Sequence, residues 1–251
     1  MTNSTVVKTP STISTNAAWV AMCAILTYQV LLGVLIFLRP DLDPSWHPIS
    51  DWAIGPHGWI MSGAFLVSAV SYVSLFVMLR NQLRRPMGRF ALVILLICAI
   101  GAAGAGIFTT DPMPFRPPLS TRGTLHILCG TSQLVLLPFA ALLIGQSLAR
   151  TNQVWARARR PLLWAAWLPL FGFVSFAVYT SLFVVPMGPH AYGPGVNIGW
   201  PPRFAFFTYM LWIVIVGSQA IRCSRLPSVE GYSQDEQRNH LPSAKALSQP
   251  Q

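Results

Sequence analysis

The sequence predicts an all-α integral membrane protein, a bundle of six transmembrane helices, and three observations predict it. First, 53% of the 251 residues are hydrophobic and 10% are charged, whereas soluble domains carry roughly 25% charged residues. Second, six apolar runs contain no Lys, Arg, Asp or Glu: 17–38, 58–79, 90–108, 124–148, 162–185 and 204–221. Each run has about the twenty residues that cross a hydrocarbon core of about 30 Å. Third, basic residues concentrate in alternate loops.

The basic residues also predict the orientation of the bundle. When successive loops are assigned to alternate sides, eleven Lys or Arg fall on one side: Lys8, Arg80, Arg84, Arg85, Arg89, Arg150, Arg157, Arg159, Arg160, Arg222 and Arg225. Four fall on the other side: Arg39, Arg116, Arg122 and Arg203. Cytoplasmic loops carry the excess of Lys and Arg. Both termini are therefore predicted to be cytoplasmic, in a multi-pass protein of the plasma membrane.

This orientation explains the net charge of +10 through topology and contact with anionic lipid. Membrane lipids are the expected partners and nucleic acid is not. The acids of the membrane domain all fall on the outer side: Asp41, Asp43, Asp51 and Asp111. Polar chemistry is thus predicted to collect at the outer end of the bundle, in loops rich in Pro and Gly, while the oligomeric state stays open.

The chain divides into three parts. Residues 1–16 are predicted to be a disordered cytoplasmic arm, residues 17–225 the six-helix domain, and residues 226–251 a polar, disordered tail. Within the first apolar run, Gln29 is expected to face the bundle and to receive a hydrogen bond from another helix. The third run ends in small residues from Ala99 to Gly106, which predict close helix packing.

The first outer loop carries an unusual polar stretch at residues 47–59. It combines Ser50, Asp51 and His57 with two Trp and two Pro. The prolines keep the backbone out of regular helix, and Trp52 and Trp59 suit the level of the lipid headgroups. The stretch is either a rigid interfacial turn or part of a functional site.

The fourth helix carries a polar stripe. Ser120 or Thr121 is expected to cap this helix. Beyond the cap, spacings of four, seven, eight and eleven from the first member place five residues on one face: Arg122, His126, Cys129, Gly130 and Gln133. His126 should lie about 7 Å inside the helix start. An ionisable residue at membrane depth is a functional-site hypothesis by default, and the alternative is a neutral His bonded to an adjacent helix.

Residues 49–59 resemble the signature loop of the prokaryotic membrane family known as domain-of-unknown-function family 998. Residues 106–112 and the pair Leu125-His126 resemble its second and third motifs, and Arg203 falls where that family places a basic residue. The resemblance covers about residues 17–222 and implies a fold and a candidate site, but no reaction. Residues 48–51 also resemble the first-loop motif of the eukaryotic Frag/DRAM/Sfk membrane proteins, which are linked to lipid and GPI-anchor handling and to autophagy.

Our principal hypothesis is a protein that holds a lipid or its headgroup in an outer-leaflet pocket. The candidate catalytic residues are Asp51, His126 and Asp111, and the candidate ligand-binding residues are Arg122, Arg203, His57 and Ser50. Arg122 and Arg203 would bind phosphate, while Asp51 and His126 would orient or activate the ligand. We expect Asp51, Asp111, His126 and Arg203 to form one cluster. The sequence does not decide whether any reaction is catalysed.

Several alternatives stay open at this point. A metal-assisted membrane hydrolase or transferase would use His57, His126 and Asp51 or Asp111 as ligands of a divalent metal, although the chain has no HExxH motif. No other cofactor is expected, and a bis-His haem between His57 and His126 has no motif behind it. A small-molecule transporter is disfavoured because no acid lies inside an apolar run. A purely structural or sensory membrane protein is the remaining alternative.

Overall fold

The computed structural model describes residues 13–115, 118–151 and 153–225. Within these ranges the chain forms six long α-helices and no strand: α1 Thr15–Leu38, α2 Gly58–Leu79, α3 Pro86–Ile107, α4 Thr121–Thr151, α5 Arg159–Tyr179 and α6 Trp200–Ser224. Six helical regions of the described chain are long and apolar enough to cross a membrane. The predicted all-α, six-helix membrane architecture is confirmed. Of the arm predicted at 1–16, residues 1–12 lie outside the described residues and Thr15 and Asn16 are helical. The tail predicted at 226–251 also lies outside the described residues.

Helix boundaries extend beyond several of the apolar runs because caps and short turns lengthen the helices. α1 begins at Thr15, before the expected start at residue 17, and Ser14 Oγ accepts a hydrogen bond from the Ala17 N–H at 3.4 Å. After α5 the chain forms a π turn over Thr180–Val184 and then 3₁₀ turns within Val185–His190, which the non-helical backbone of Gly188 divides by a kink. The fifth apolar run therefore contains more than one kind of helix.

The six helices form a closed bundle. Each helix packs against the next one in sequence, and α6 returns to pack against α1. Facing surfaces bury aromatic side chains such as Tyr28, Tyr209 and Trp212, whereas Phe37 and Trp164 are exposed on the outside. Exposed apolar side chains suit a surface that faces acyl chains, because lipid tails are as apolar as leucine.

Glycines bring α3 close to both of its neighbours. A methyl group on Gly101 would lie 2.7 Å from the Cys129 carbonyl oxygen of α4, and one on Gly106 would lie 2.7 Å from the Ser62 carbonyl oxygen of α2. A methyl group on Gly104 would fall on the Cys129 sulfur. These contacts confirm that the small residues serve close helix packing.

Three loops share one end of the bundle, here called the loop end. Loop 1 comprises residues 39–57, loop 2 the described residues 108–115 and 118–120, and loop 3 residues 180–199, which include the π and 3₁₀ turns after α5. Arg39 holds loop 1 in shape, because its guanidinium pairs with Asp41 at 2.8 Å and donates to the carbonyls of Ile54 and Pro56 at 2.7 and 2.9 Å. The loop end is the end that the distribution of basic residues predicts to be outside.

Candidate functional site

Arg203 lies in the first turn of α6, beneath loop 1. Pro201 and Pro202 precede it, and proline suits the first turn of a helix because the N–H groups there have no helical partner. Arg203 is 7% exposed. Its Nη1 donates to three backbone carbonyls, those of Gly199 at 2.7 Å, His47 at 2.9 Å and Pro44 at 3.2 Å. One nitrogen of the guanidinium therefore ties loop 1 to α6.

The other two guanidinium nitrogens are not satisfied in this way. Nε and Nη2 of Arg203 are buried and have no hydrogen-bond partner among the described residues. The guanidinium carbon lies 4.4 Å from the ring centroid of Trp52, a cation–π contact. Trp52 is 0% exposed and packs inside the protein, whereas Trp59 is exposed. A buried positive charge thus retains two donor nitrogens without a hydrogen-bond partner in the described chain.

Asp51 interacts electrostatically with Arg203, yet the two residues do not form a direct ion pair. Asp51 is 5% exposed, and its Oδ2 accepts a hydrogen bond from the Tyr192 hydroxyl at 3.0 Å. Its Oδ1 is buried without a partner in the described part of the chain. Burial raises the pKa of the Asp51 carboxyl, against the opposing effects of the Tyr192 hydrogen bond and of nearby His47 and Arg203.

Loop 3 packs onto loop 1 around these residues. Tyr192 meets the Trp46 ring edge-on at a centroid distance of 5.1 Å, and Trp46 packs on His47 at 3.7 Å. The Gly199 N–H donates to the Ser45 carbonyl at 2.8 Å. A methyl group on Gly199 would lie 2.7 Å from the His47 carbonyl oxygen, so only glycine permits this approach. The two loops together cover Asp51 and Arg203.

The buried polar atoms around Arg203 are mostly hydrogen-bond donors. Besides Nε and Nη2, the Tyr28 hydroxyl, Gln29 Nε2 and Trp52 Nε1 are buried without a partner in the described ranges, and the corresponding acceptor is Asp51 Oδ1. The expectation for Gln29 is wrong, because no other helix supplies its amide with a hydrogen bond in the described structure. An excess of donors favours a ligand rich in acceptors, such as an anion.

A surface groove between α1 and α6 leads to Arg203. It has a volume of about 370 Å³, and its lining residues are Gln29, Leu32, Gly33, Ile36, Trp200, Arg203, Phe204 and Phe207. A larger groove of about 470 Å³ lies between α2 and α3, but Ser74 is its one polar lining residue. The α1–α6 groove is therefore the one that combines apolar walls with a positive charge.

Asp111 is placed elsewhere, at the start of α4. Its Oδ2 accepts from the Ser120 N–H at 2.8 Å and its Oδ1 from the Ser120 hydroxyl at 2.6 Å. Ser120 Oγ in turn accepts from the Gly123 N–H at 2.9 Å, which confirms the predicted cap of this helix. Asp111 thus fixes the cap of α4, and both of its oxygens are satisfied.

His126 is also buried, and its contacts are with residues of α2 and the end of α3, not with Arg203. Its Nδ1 lies 2.7 Å from the Phe108 carbonyl oxygen at the end of α3, and its ring meets Phe65 of α2 at a centroid distance of 5.8 Å. This is the alternative arrangement foreseen for His126, a hydrogen bond to an adjacent helix. No hydrogen bond or ion pair between described residues joins Asp111 or His126 to Asp51 or Arg203.

The remaining predicted site residues do not join the Arg203 group. Arg122 is exposed in the first turn of α4, and His57 is exposed at the start of α2 with φ of 60°. Ser50 is half-buried in the 3₁₀ turn Ile49–Ala53. Across the described ranges, no three His, Cys, Asp or Glu side chains are grouped so that they could hold a metal ion.

Residues 22–219 match the family described as "Protein of unknown function (DUF998)". The chain belongs to the DUF998 family. Comparison with curated proteins and with solved structures found no match. The DUF998 match begins in α1 and ends in α6. It therefore includes loops 1, 2 and 3 and both walls of the α1–α6 groove, and the family resemblance predicted from the loop motifs is confirmed.

For this DUF998 protein we expect Asp51→Asn to preserve or raise the melting temperature in detergent at pH 7. Because the pKa of Asp51 is raised on folding, the folded state binds the proton more tightly than the unfolded state. Stability is therefore lost as pH rises from the ordinary pKa of 3.8 through the raised value. Asparagine avoids burying that charge and still accepts from Tyr192.

The difference in melting temperature should disappear below pH 3.8, where aspartic acid is protonated in both states. Asp43→Asn is the matched control, because Asp43 lies in the same loop and hydrogen bonds from Ser45 lower its pKa. This control should gain no stability at pH 7. A large loss of folded protein for Asp51→Asn would instead show that the ionised carboxylate supports the fold.

Proposed function

We propose that this DUF998 protein binds the phosphate-bearing headgroup of a membrane lipid beside Arg203. The observation that carries the proposal is a buried guanidinium, with two donor nitrogens that lack a partner in the described chain, at the wall of a groove between two apolar helices. Arg122 was the second predicted phosphate ligand, but it is exposed and does not line this groove.

The energetics favour an anionic ligand. Leaving a buried N–H unpaired costs about 1–3 kcal/mol, and a buried charge without a bonded partner costs more. A phosphate oxygen accepts hydrogen bonds from both Nε and Nη2 of an arginine in the paired geometry that guanidinium groups favour. Binding of such a group offsets the free-energy cost of removing Arg203 from water. Asp51 does not offset this cost through direct contact with Arg203.

The position of Arg203 suits the headgroup of a lipid. Arg203 is the fourth residue of α6, about 5 Å from the helix start at 1.5 Å per residue. Next to it on the groove, Phe204 and Phe207 are exposed, and in a spanning helix such side chains face acyl chains. A phosphate at Arg203 therefore lies near the end of the span, with its apolar part at the depth of the hydrocarbon.

Trp200 covers the guanidinium on the groove side. Its ring centroid is 5.9 Å from the Arg203 guanidinium carbon, and the residue is 49% exposed. Because Nε and Nη2 lie beneath the surface, a phosphate reaches them when the Trp200 side chain moves aside. A half-exposed side chain at a helix start has room for that movement.

The test is lipid retention measured by native mass spectrometry on the full chain in detergent. Phosphatidic acid and diacylglycerol with identical acyl chains are added at equal concentration, so the probes differ in the phosphate alone. The proposal predicts that phosphatidic acid stays bound at least tenfold more than diacylglycerol. Equal retention of the two probes would contradict it.

A further inference from the structure

We infer that the ligand of this groove is an acyl ester of a phosphate amphiphile, and that the Gln29 amide recognises its ester carbonyl. The inference rests on the proposed function, since it requires a phosphate at Arg203. It adds a second recognition point and a specificity: an ester-linked chain is preferred to an ether-linked or isoprenoid chain.

The two walls of the groove are matched stripes. On α1 the lining residues are 29, 32, 33 and 36, and on α6 they are 200, 203, 204 and 207. Each set has spacings of three, four and seven, which define one face of a helix. Each stripe extends over seven residues, about 10 Å along the helix axis. The groove therefore runs along the membrane normal, the direction in which a lipid chain lies.

Contacts between α1 and α6 fix the relative depth of the two polar residues. The helices are antiparallel, and the rings of Tyr28 and Phe206 meet at a centroid distance of 6.2 Å, so these positions lie at one level. Because residue numbers run in opposite directions along the two helices, this contact places Gln29 near the level of Ala205, whereas the groove lining places Gln29 and Phe207 together at the deep end. Gln29 is therefore two to four residues deeper than Arg203, about 3–6 Å at 1.5 Å per residue. In a glycerol phosphate lipid, the ester carbonyls lie one glycerol unit below the phosphate, a distance at the upper end of this range.

The Gln29 amide is able to serve a carbonyl at that depth. Its Nε2 is a buried donor with no partner in the described chain, although the residue as a whole is half-buried and lines the groove. Rotation of an amide about its last bond is soft, so a half-turn directs Nε2 into the groove. An ester carbonyl accepts that hydrogen bond, whereas an ether oxygen is a weaker acceptor and an isoprenoid chain offers none.

Gly33 leaves space for the ligand beside Arg203. A methyl group added to Gly33 would meet no atom within 4 Å, so the absence of a side chain opens the groove and is not required by helix packing. Leu32 and Ile36 line the same wall. The groove thus offers a positive charge and open space at one level and a neutral donor deeper in the membrane, all between apolar walls.

The experiment compares two probes of equal charge in the full chain: 1-oleoyl lysophosphatidic acid, an acyl ester, and its 1-oleyl ether analogue. Native mass spectrometry in detergent should show that the ester binds several-fold more tightly, with about tenfold as the upper limit for one hydrogen bond. Gln29→Met removes the donor at similar volume and should abolish the preference. Gln133→Met is the matched control, because Gln133 is a buried glutamine on α4 outside the groove, and it should retain the preference.

Equal binding of ester and ether by the wild-type protein would overturn the inference, whether or not the variants fold. An ester preference that survives in Gln29→Met would overturn it as well. Failure of the proposed function looks different. In that case neither phosphate probe is held more tightly than neutral monooleoylglycerol, the phosphate-free ester added as a third probe.

Discussion

Arg203→Met should reduce the retention of phosphatidic acid by at least tenfold and should leave diacylglycerol retention unchanged. The substitution removes the charge and both free N–H groups at the groove wall. It also removes the donor to the Pro44, His47 and Gly199 carbonyls, and we therefore expect a lower melting temperature. Unpaired buried carbonyls cost about 1–3 kcal/mol each.

A second variant separates recognition from folding. Arg203→Lys keeps the positive charge and a donor for the loop 1 carbonyls, but lysine lacks the paired geometry of a guanidinium. We expect this variant to remain folded and to lose most of its preference for the phosphate lipid. Arg122→Gln is the matched control, since it removes an exposed arginine at the same end of the bundle.

The outcomes distinguish the two arginines. If Arg203→Lys is folded and still prefers phosphatidic acid as strongly as the wild type, Arg203 does not bind the headgroup. If Arg122→Gln loses the preference, the headgroup lies at the start of α4, as the sequence had also suggested. The measurements are thermal unfolding and native mass spectrometry on the same detergent-solubilised samples.

Gly104→Leu should strongly destabilise the membrane domain. Even the first carbon of the new side chain would fall on the Cys129 sulfur and lie 3.1 Å from the Cys129 Cβ, so α3 and α4 would have to separate. Overpacking of a close contact costs about 1–3 kcal/mol, and leucine adds further carbons to the same interface. The expected result is a clear fall in melting temperature and in the yield of folded protein.

Gly130→Leu is the control for that change. Gly130 is also a helical glycine of the α3–α4 region, but a methyl group there would meet nothing within 4 Å. Its melting temperature should stay close to that of the wild type. Equal melting temperatures for Gly104→Leu and the wild-type protein would mean that this face of α3 meets lipid and not α4.

The fold was predictable because it follows from properties that are local in sequence. Six apolar runs are long enough to predict six spans directly. The glycines at 101, 104 and 106 predict where helices approach closely. Helix ends were less accurate: helical turns continue past Val185 to a kink at Gly188, although proline and glycine suggested a loop there. Such turns depend on contacts with the neighbouring loops.

The site was only partly predictable because contacts between loops decide it. Arg203 and Asp51 were identified from their residue types and loop positions, but the hydrogen-bond partner of Asp51, Tyr192, lies 141 positions away from it in the chain. His126 and Asp111 have the residue types and positions expected of functional residues. In the structure they hydrogen-bond to backbone groups at the end of α3 and just before α4. The sequence identifies Gln29 as a polar residue at membrane depth. Sequence alone could not show that it lines a groove shared with Arg203.

The most direct test of lipid binding in the α1–α6 groove is photocrosslinking in membranes. A phosphatidic acid probe with a diazirine in one acyl chain is added to membranes that contain the full chain, and crosslinked peptides are mapped by mass spectrometry. Lipid binding at Arg203 predicts adducts on Leu32 or Phe207, with yields that fall in Arg203→Lys. Adducts of equal or greater yield in the α2–α3 groove, at Leu66, Val70 or Ile100, would show instead that lipid contacts the protein without selecting the site beside Arg203.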